Sequence, residues 1–303
     1  MSGPPELALL RGLHLTAMLS MLGTQAFLAW LLPAATVRGG GLHSRLIGLW
    51  RVSGALALLT GAVWLSVEAA IMAEAHGLAG ILNAVGLVAG HTRFGQVVSL
   101  RLALLALATL LAGSGRVRLY LALALTAVSA ALEGLIGHAG ATAGMIGNGL
   151  LTSEALHLLA AGLWLGTLPA LWLSVRALPA AAAAHVCERF SPIGLGCVLM
   201  LAGTGFAQAL DLIGSLRALL DTRYGHLAML KIGLFLAALV LAACNRIWLT
   251  DRLADAVPRA RRDLLTSVAI ETLIGLAIVI TAAFLASTVP GAHDPARMMA
   301  APG

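Results

Sequence analysis

Charge is scarce in this sequence: Asp, Glu, Lys and Arg make up 11% of its 303 residues. A soluble domain carries about 25%. Lysine is almost missing, with Lys231 alone beside 18 arginines. Cysteine stops at Cys187, Cys197 and Cys244, with no Cys-x-x-Cys, which leaves no disulfide framework and no paired-thiolate metal site. No G-x-x-x-x-G-K-[ST] run is present, so a phosphate cradle of that type is excluded. There is also no extended polar stretch to fold into a nucleotide-binding domain, which argues against ATP-driven pumping. Short alternating apolar segments, the mark of a membrane β-barrel, are missing too.

What is present is apolar sequence. Hydrophobic residues reach 60% and the mean hydropathy is +0.95. A spanning helix needs roughly 20 mostly apolar residues. Eight such segments are expected, at about Leu7–Leu32, Leu46–Ala73, Gly95–Ala112, Val117–Ile136, Leu150–Val175, Phe190–Ile213, Tyr224–Leu249 and Leu264–Val289. Gly77–Gly90 is apolar but too short to cross, and is expected to lie at an interface or re-enter. Helices follow because every backbone polar group must be satisfied inside lipid. The fold class is therefore all-α: a polytopic membrane protein of about eight helices in one bundle. It forms a single integral-membrane domain, with four N-terminal spans over about 7–136 and four C-terminal spans over about 137–290. The first segment has Glu6 in place of a basic start and a long apolar run, so a cleaved signal peptide is not expected.

The net charge of +6 is not a nucleic-acid signal, because the arginines mark alternate loops. Arg38, Arg45, Arg51, Arg116, Arg118, Arg176, Arg189, Arg246, Arg252, Arg259, Arg261 and Arg262 fall in or beside them. Those loops are expected in the cytoplasm by the positive-inside rule, and both termini outside it. Seven of the nine histidines then lie towards the outer face: His14, His76, His91, His138, His157, His226 and His293. His43 and His185 are left in inner loops. Imidazole is the commonest metal ligand and the usual axial ligand of haem.

Ligand-type residues also recur at helical spacing. His14, Met18 and Met21 are i, i+4 and i+7 on the first span; Glu154 and His157 are i and i+3; His226 and Met229 are i and i+3. Residues three and four apart share a helix face, and thioether with imidazole suits a soft ion such as Cu(I). Taken singly, each methionine is more simply a packing residue. A polar ring at membrane depth is expensive and functional by default, which favours His14, His157 and His226 as ligands. Those three also lie at similar expected depth, as a haem b with two histidine ligands would need. Glu271 lies about eight residues into the last span, either on an ion path or paired to a neighbouring helix such as that of Asn245. Lys231 would repel a cation unless paired, for instance with Asp211. Glu133 is a further ionisable group near the lipid zone, and Arg101 and Arg51 are expected to anchor at interfaces. Gly162 and Gly166 are four apart and suit close helix approach.

The C-terminal half resembles the copper-resistance protein D (CopD) family of bacterial inner-membrane proteins. The resemblance rests on Gly137-His138-Ala139, on His157-Leu-Leu-Ala160-Ala-Gly-Leu-Trp164-Leu-Gly166 and on Arg189-Phe190-Ser191. Thr222-Arg-Tyr224-Gly225 with Lys231, then Asn245-Arg246, then Glu271 ahead of Pro290 complete the series over about residues 130–290. Thr167 departs from the family's glycine at that place. The resemblance implies a multi-pass protein of the bacterial inner membrane that takes up copper, with a separate periplasmic CopC-like protein as partner. His14, His138, His157 and His226 are then the expected outer Cu(I) ligands, with Met18, Met21 and Met229 as softer helpers. Glu271, Lys231 and Asp211 are the candidates for an ion path or helix pairing. Two alternatives stand beside this: a haem b electron-transfer protein using His14, His157 and His226, and a copper-resistance interaction subunit that transports nothing. No enzymatic activity is expected unless haem is bound.

Overall fold

A computed structural model describes residues 4–32, 41–113, 115–136, 144–213 and 215–290, the side chains of residues 144–146 and 211 excepted. Among these residues the secondary structure is entirely helical. Helix α1 (Pro5–Ala26) runs on into a π-turn, Phe27–Leu31. There follow α2 (Gly41–Met72), α3 (Gly77–His91), α4 (Arg93–Leu110), and α5 (Arg116–Ala131) with a 3-10 turn over Leu132–Ile136. In the second half, α6 (Gly144–Trp164) leads through a 3-10 turn, Leu165–Thr167, into α7 (Leu168–Ala177). Then come α8 (Ala180–Leu212), the short α9 (Leu216–Asp221), and α10 (Arg223–Cys244) with a π-turn over Asn245–Leu249. Helices α11 (Thr250–Ala254) and α12 (Ala260–Ala286) end the described chain.

Eight helical stretches among the described residues are long and apolar enough to cross a membrane, and α3 is too short. Both match the sequence reading. Several boundaries shift by a few residues, and α8 shifts most: it begins at Ala180, ten residues before the expected Phe190. The alanine run 180–184 is the reason, since alanine is the best helix former.

Helix α1 is the hub. Met18, Met21, Leu22 and Phe27 are almost wholly buried, and its neighbours α2, α5, α6 and α12 surround it. Its contact with the α6–α7 break is made backbone to backbone. A Cβ on Gly166 would overlap the Leu19 carbonyl, and one on Gly23 would overlap Gly166 itself. Gly162 similarly leaves room for the Leu22 side chain. Small residues are what allow membrane helices to approach this closely.

At the arginine-rich end, guanidinium groups tie one helix to the carbonyls that finish another. Arg51 donates to Ala112 O at 2.9 Å, and Arg189 donates to Trp30 O at 2.6 Å. Arg261 donates to Val175 O and, at 2.8 Å, to Leu178 O. The last carbonyls of a helix have no partner inside it and carry the negative end of its dipole, so arginine there both caps and neutralises.

Candidate functional site

Two polar clusters stand out, one around His14 of α1 and one around His157 of α6. The first contains His14. Its Nδ1 lies 2.8 Å from Ala57 O. A carbonyl only accepts, so Nδ1 carries the proton and Nε2 keeps its lone pair in the neutral ring. Room for the ring comes from Gly61, where a Cβ would stand 2.7 Å from Nδ1. Trp64 lies beside it, with ring centroids 6.0 Å apart.

Beyond Nε2 stands a guanidinium. Arg101 is fully buried, and its Nη2 lies 3.5 Å from His14 Nε2 and 3.6 Å from Met18 Sδ. Its Nε donates to Ser129 O at 2.9 Å, and its Nη1 is ion-paired with Glu133 Oε2. Arg11 holds the other oxygen of Glu133, through Nε at 2.9 Å and Nη2 at 2.8 Å. Arg101 is therefore no interfacial anchor, contrary to the sequence expectation. It is exchanged for the bilayer interface because Glu133, 2% exposed, offers a charge partner inside the bundle.

Below this point α1 carries an unbroken polar and soft line. His14, Met18, Met21 and Gln25 share one face, and all four are 0% exposed. The Thr109 hydroxyl lies 3.9 Å from Met21 Sδ but sends its proton to Leu105 O at 2.7 Å, leaving the sulfur lone pairs unused. Sequence reading reached His14, Met18 and Met21 by spacing. Gln25 continues the same series at i+11 and was missed because an amide is not a typical soft ligand.

The second cluster contains His157, which is half-buried. Its Nδ1 lies 2.8 Å from Thr204 Oγ1, whose own proton goes to Met200 O at 2.6 Å. Nδ1 must then be the donor, and Nε2 again keeps its lone pair. No partner for Nε2 is found among the described residues. One turn away, Gln208 donates to Glu154 Oε2 at 2.9 Å. Lys231 of α10 lies near enough to act electrostatically on both Glu154 and His157. A cleft of about 560 Å³ between α6 and α8 reaches Thr204, with Gly149, Thr152, Gly196 and Gly203 on its walls.

The remaining candidates separate from these clusters. His226 is exposed at the start of α10, its Nε2 2.7 Å from Leu220 O, and Met229 faces outward at 36% exposure. His138, His293 and the Asp211 side chain lie outside the described residues. Glu271, 2% exposed, accepts from Asn245 Nδ2 at 2.9 Å and from the Trp164 indole. This is the helix pairing anticipated as one of its two roles. Expected as a loop residue, His43 instead sits in the first turn of α2 with both ring nitrogens buried and without partners. Among the described residues no three His, Cys, Asp or Glu side chains converge on one point. Nor do the three histidines fit haem b: His14 turns to α2 and α4, His157 to α8, and His226 to its own connection.

An all-helical bundle with eight stretches long and apolar enough to cross a membrane, and with imidazole, thioether and carboxylate groups buried between them, defines a multi-pass membrane protein. Sequence comparison narrows the class. Residues 184–285 match the family model described as Copper resistance protein D, and residues 3–148 match Copper resistance protein D-like, N-terminal domain. The chain belongs to the copper resistance protein D family. It is 27% identical over 287 residues to "Inner membrane protein YebZ" of Escherichia coli (strain K12), covering 93% of this chain and 97% of that one. It is 31% identical over 147 residues to "Copper transport protein CutJ" of Bacillus subtilis (strain 168), covering 47% of this chain and 26% of that much longer one. No solved structure matches.

Proposed function

We propose that this protein resides in a bacterial inner membrane, binds Cu(I) at the end remote from its arginine-rich loops, and imports it towards the cytoplasm. The observation that carries the reading is the file on α1: His14, Met18 and Met21, each 0% exposed, on one face of the central helix. Imidazole and thioether are the ligands a soft monovalent ion prefers. Such an ion can move inward down the membrane potential, worth about 2.3 kcal/mol per charge per 100 mV. Relatives described as an inner membrane protein and a copper transport protein support location and cargo.

In the arrangement seen, the file is closed at its outer end. The place next to both His14 Nε2 and Met18 Sδ is taken by Arg101, which Glu133 holds there, so entry requires the guanidinium to move away. His157 supplies a second ligand, its Nε2 oriented by the contact of Nδ1 with Thr204. A separate periplasmic CopC-like protein is the donor that fits a chain working as a carrier and not as an enzyme. Both termini lie in the periplasm.

Purified protein tests this in one preparation. The expected result is tight binding of Cu(I), weakened by His14→Ala and by His157→Ala, with no Soret band in the visible spectrum. A Soret band with no bound copper overturns the reading. Reporter fusions at Arg259–Arg262 and after Pro290 test the orientation, which requires a cytoplasmic signal from the first and a periplasmic signal from the second.

A further inference from the structure

The soft file does not stop at Met21. Helices α1 and α2 pack antiparallel, with His14 against Ala57 and Ser20 Oγ 3.0 Å from Ser53 Oγ. In that register Gln25 falls opposite the turn of α2 that holds Trp50. His43, Trp50 and Ala57 are spaced by seven residues each, so they share the α2 face that meets α1.

This stretch of the seam has an unusual property. Gln25 is 0% exposed, and among the described residues neither its amide nitrogen nor its amide oxygen has a partner. Trp50 is 0% exposed with an unpartnered indole N–H, and both ring nitrogens of His43 are buried and unpartnered. Buried polar groups are nearly always hydrogen-bonded. Five unmet atoms lie on three residues of one helix seam, in a protein whose other buried hydroxyls and carboxylates are mostly paired.

We infer that the α1–α2 seam is a Cu(I) conduit, in which the Gln25 amide and the His43 imidazole receive the ion from Met21 and pass it to the arginine-rich end. Groups with free lone pairs recur along the line, the harder amide oxygen standing between softer ligands. Imidazole opens it at His14, two thioethers follow, an amide oxygen comes next, and imidazole closes it at His43. From His14 to Gln25 is 11 residues, about 16 Å at 1.5 Å per residue. His43 extends the line by about one further turn of α1, so the file covers most of a hydrocarbon core of about 30 Å. The Trp50 indole N–H is a further unpartnered donor on the same helix face. The path thus runs through the N-terminal half and bypasses Glu271, whose carboxylate is already held by Asn245 and Trp164.

The inference rests on the import reading and is tested beside it. Full-length protein is reconstituted into vesicles loaded with a membrane-impermeant Cu(I) chelator, and uptake is followed by its colour. The key pair is Gln25→Leu and Gln25→Met, which differ by a thioether at nearly constant shape. Gln25→Leu is expected to lower uptake at least tenfold, while melting temperature and outer Cu(I) binding stay at the wild-type level. Gln25→Met is expected to restore most of the rate, because it replaces the amide with a soft ligand. His43→Leu is expected to slow release in the same way. Wild-type uptake in Gln25→Leu, or equal loss in Gln25→Leu and Gln25→Met, overturns the conduit while leaving import standing. Wild-type vesicles that take up no copper overturn both.

Discussion

His14 and His157 hold their protons on the same nitrogen, yet what faces the other nitrogen differs. In the N-terminal half the lone pair of His14 meets Arg101, and two arginines share one carboxylate, Glu133. In the C-terminal half the lone pair of His157 has no described partner, and the groups around it are joined by single hydrogen bonds, Thr204 to Met200 and Gln208 to Glu154. The difference teaches that burial alone does not make a histidine a ligand. Full ion pairing in the first half closes the site around His14. Partial satisfaction in the second leaves an imidazole ready for use.

The largest effect should come from breaking the charged half. Glu133→Gln strips Arg101 of its counter-ion inside the bundle, and removing one partner of a buried pair costs about 3–5 kcal/mol. A large fall in melting temperature or yield is expected. Glu271→Gln should cost much less, on the order of 1 kcal/mol, since Asn245 and Trp164 are neutral donors. It should also leave outer copper binding and uptake intact if the path follows α1. Equal destabilisation by the two substitutions would erase the distinction between the halves.

Next in size is the seam that joins the halves. Gly166→Ala pushes a methyl group into the Leu19 carbonyl, and overpacking of this kind costs about 1–3 kcal/mol. Thermal unfolding in detergent measures it; an unchanged melting temperature would mean that α1 and the α6–α7 break do not meet backbone to backbone.

A smaller effect separates the two histidines directly. Thr204→Val removes the acceptor that fixes the His157 ring, and loss of such an orienting partner weakens metal binding about 10- to 100-fold. Competition with a chromogenic Cu(I) chelator reads this. The same titration should find His14 unaffected by Thr204→Val. Least of all, His185→Ala and His226→Ala are expected within about 0.5 kcal/mol of wild type and with full copper binding, since both rings are exposed.

The bundle itself was legible in the sequence because apolar length and arginine placement are one-dimensional signals. Eight spans and the short Gly77–His91 helix follow from them. The α1 face was legible too, as His14, Met18 and Met21 fall on one stripe by spacing alone. Arg101 was not, because a lone arginine within a span reads the same whether it reaches the interface or meets a carboxylate 32 residues later in the chain. Glu133 and Arg101 become a pair only when α4 and α5 are set side by side. His43 was taken for a loop residue because helix ends are the least certain part of any sequence reading. The outward turn of His226 and Met229 likewise depends on which face of α10 meets its neighbours, and a helix apolar all round gives no sign of that.

The central claim is that copper crosses along the buried soft face of α1. The most direct test is Cu(I) uptake into chelator-loaded vesicles by wild-type protein and by the double variant Met18→Leu/Met21→Leu. That variant removes both thioethers while conserving volume and helix propensity. The account predicts uptake well above that of protein-free vesicles for the wild type, and uptake near the protein-free level for the double variant at unchanged melting temperature. Wild-type uptake that persists undiminished in the double variant would contradict it.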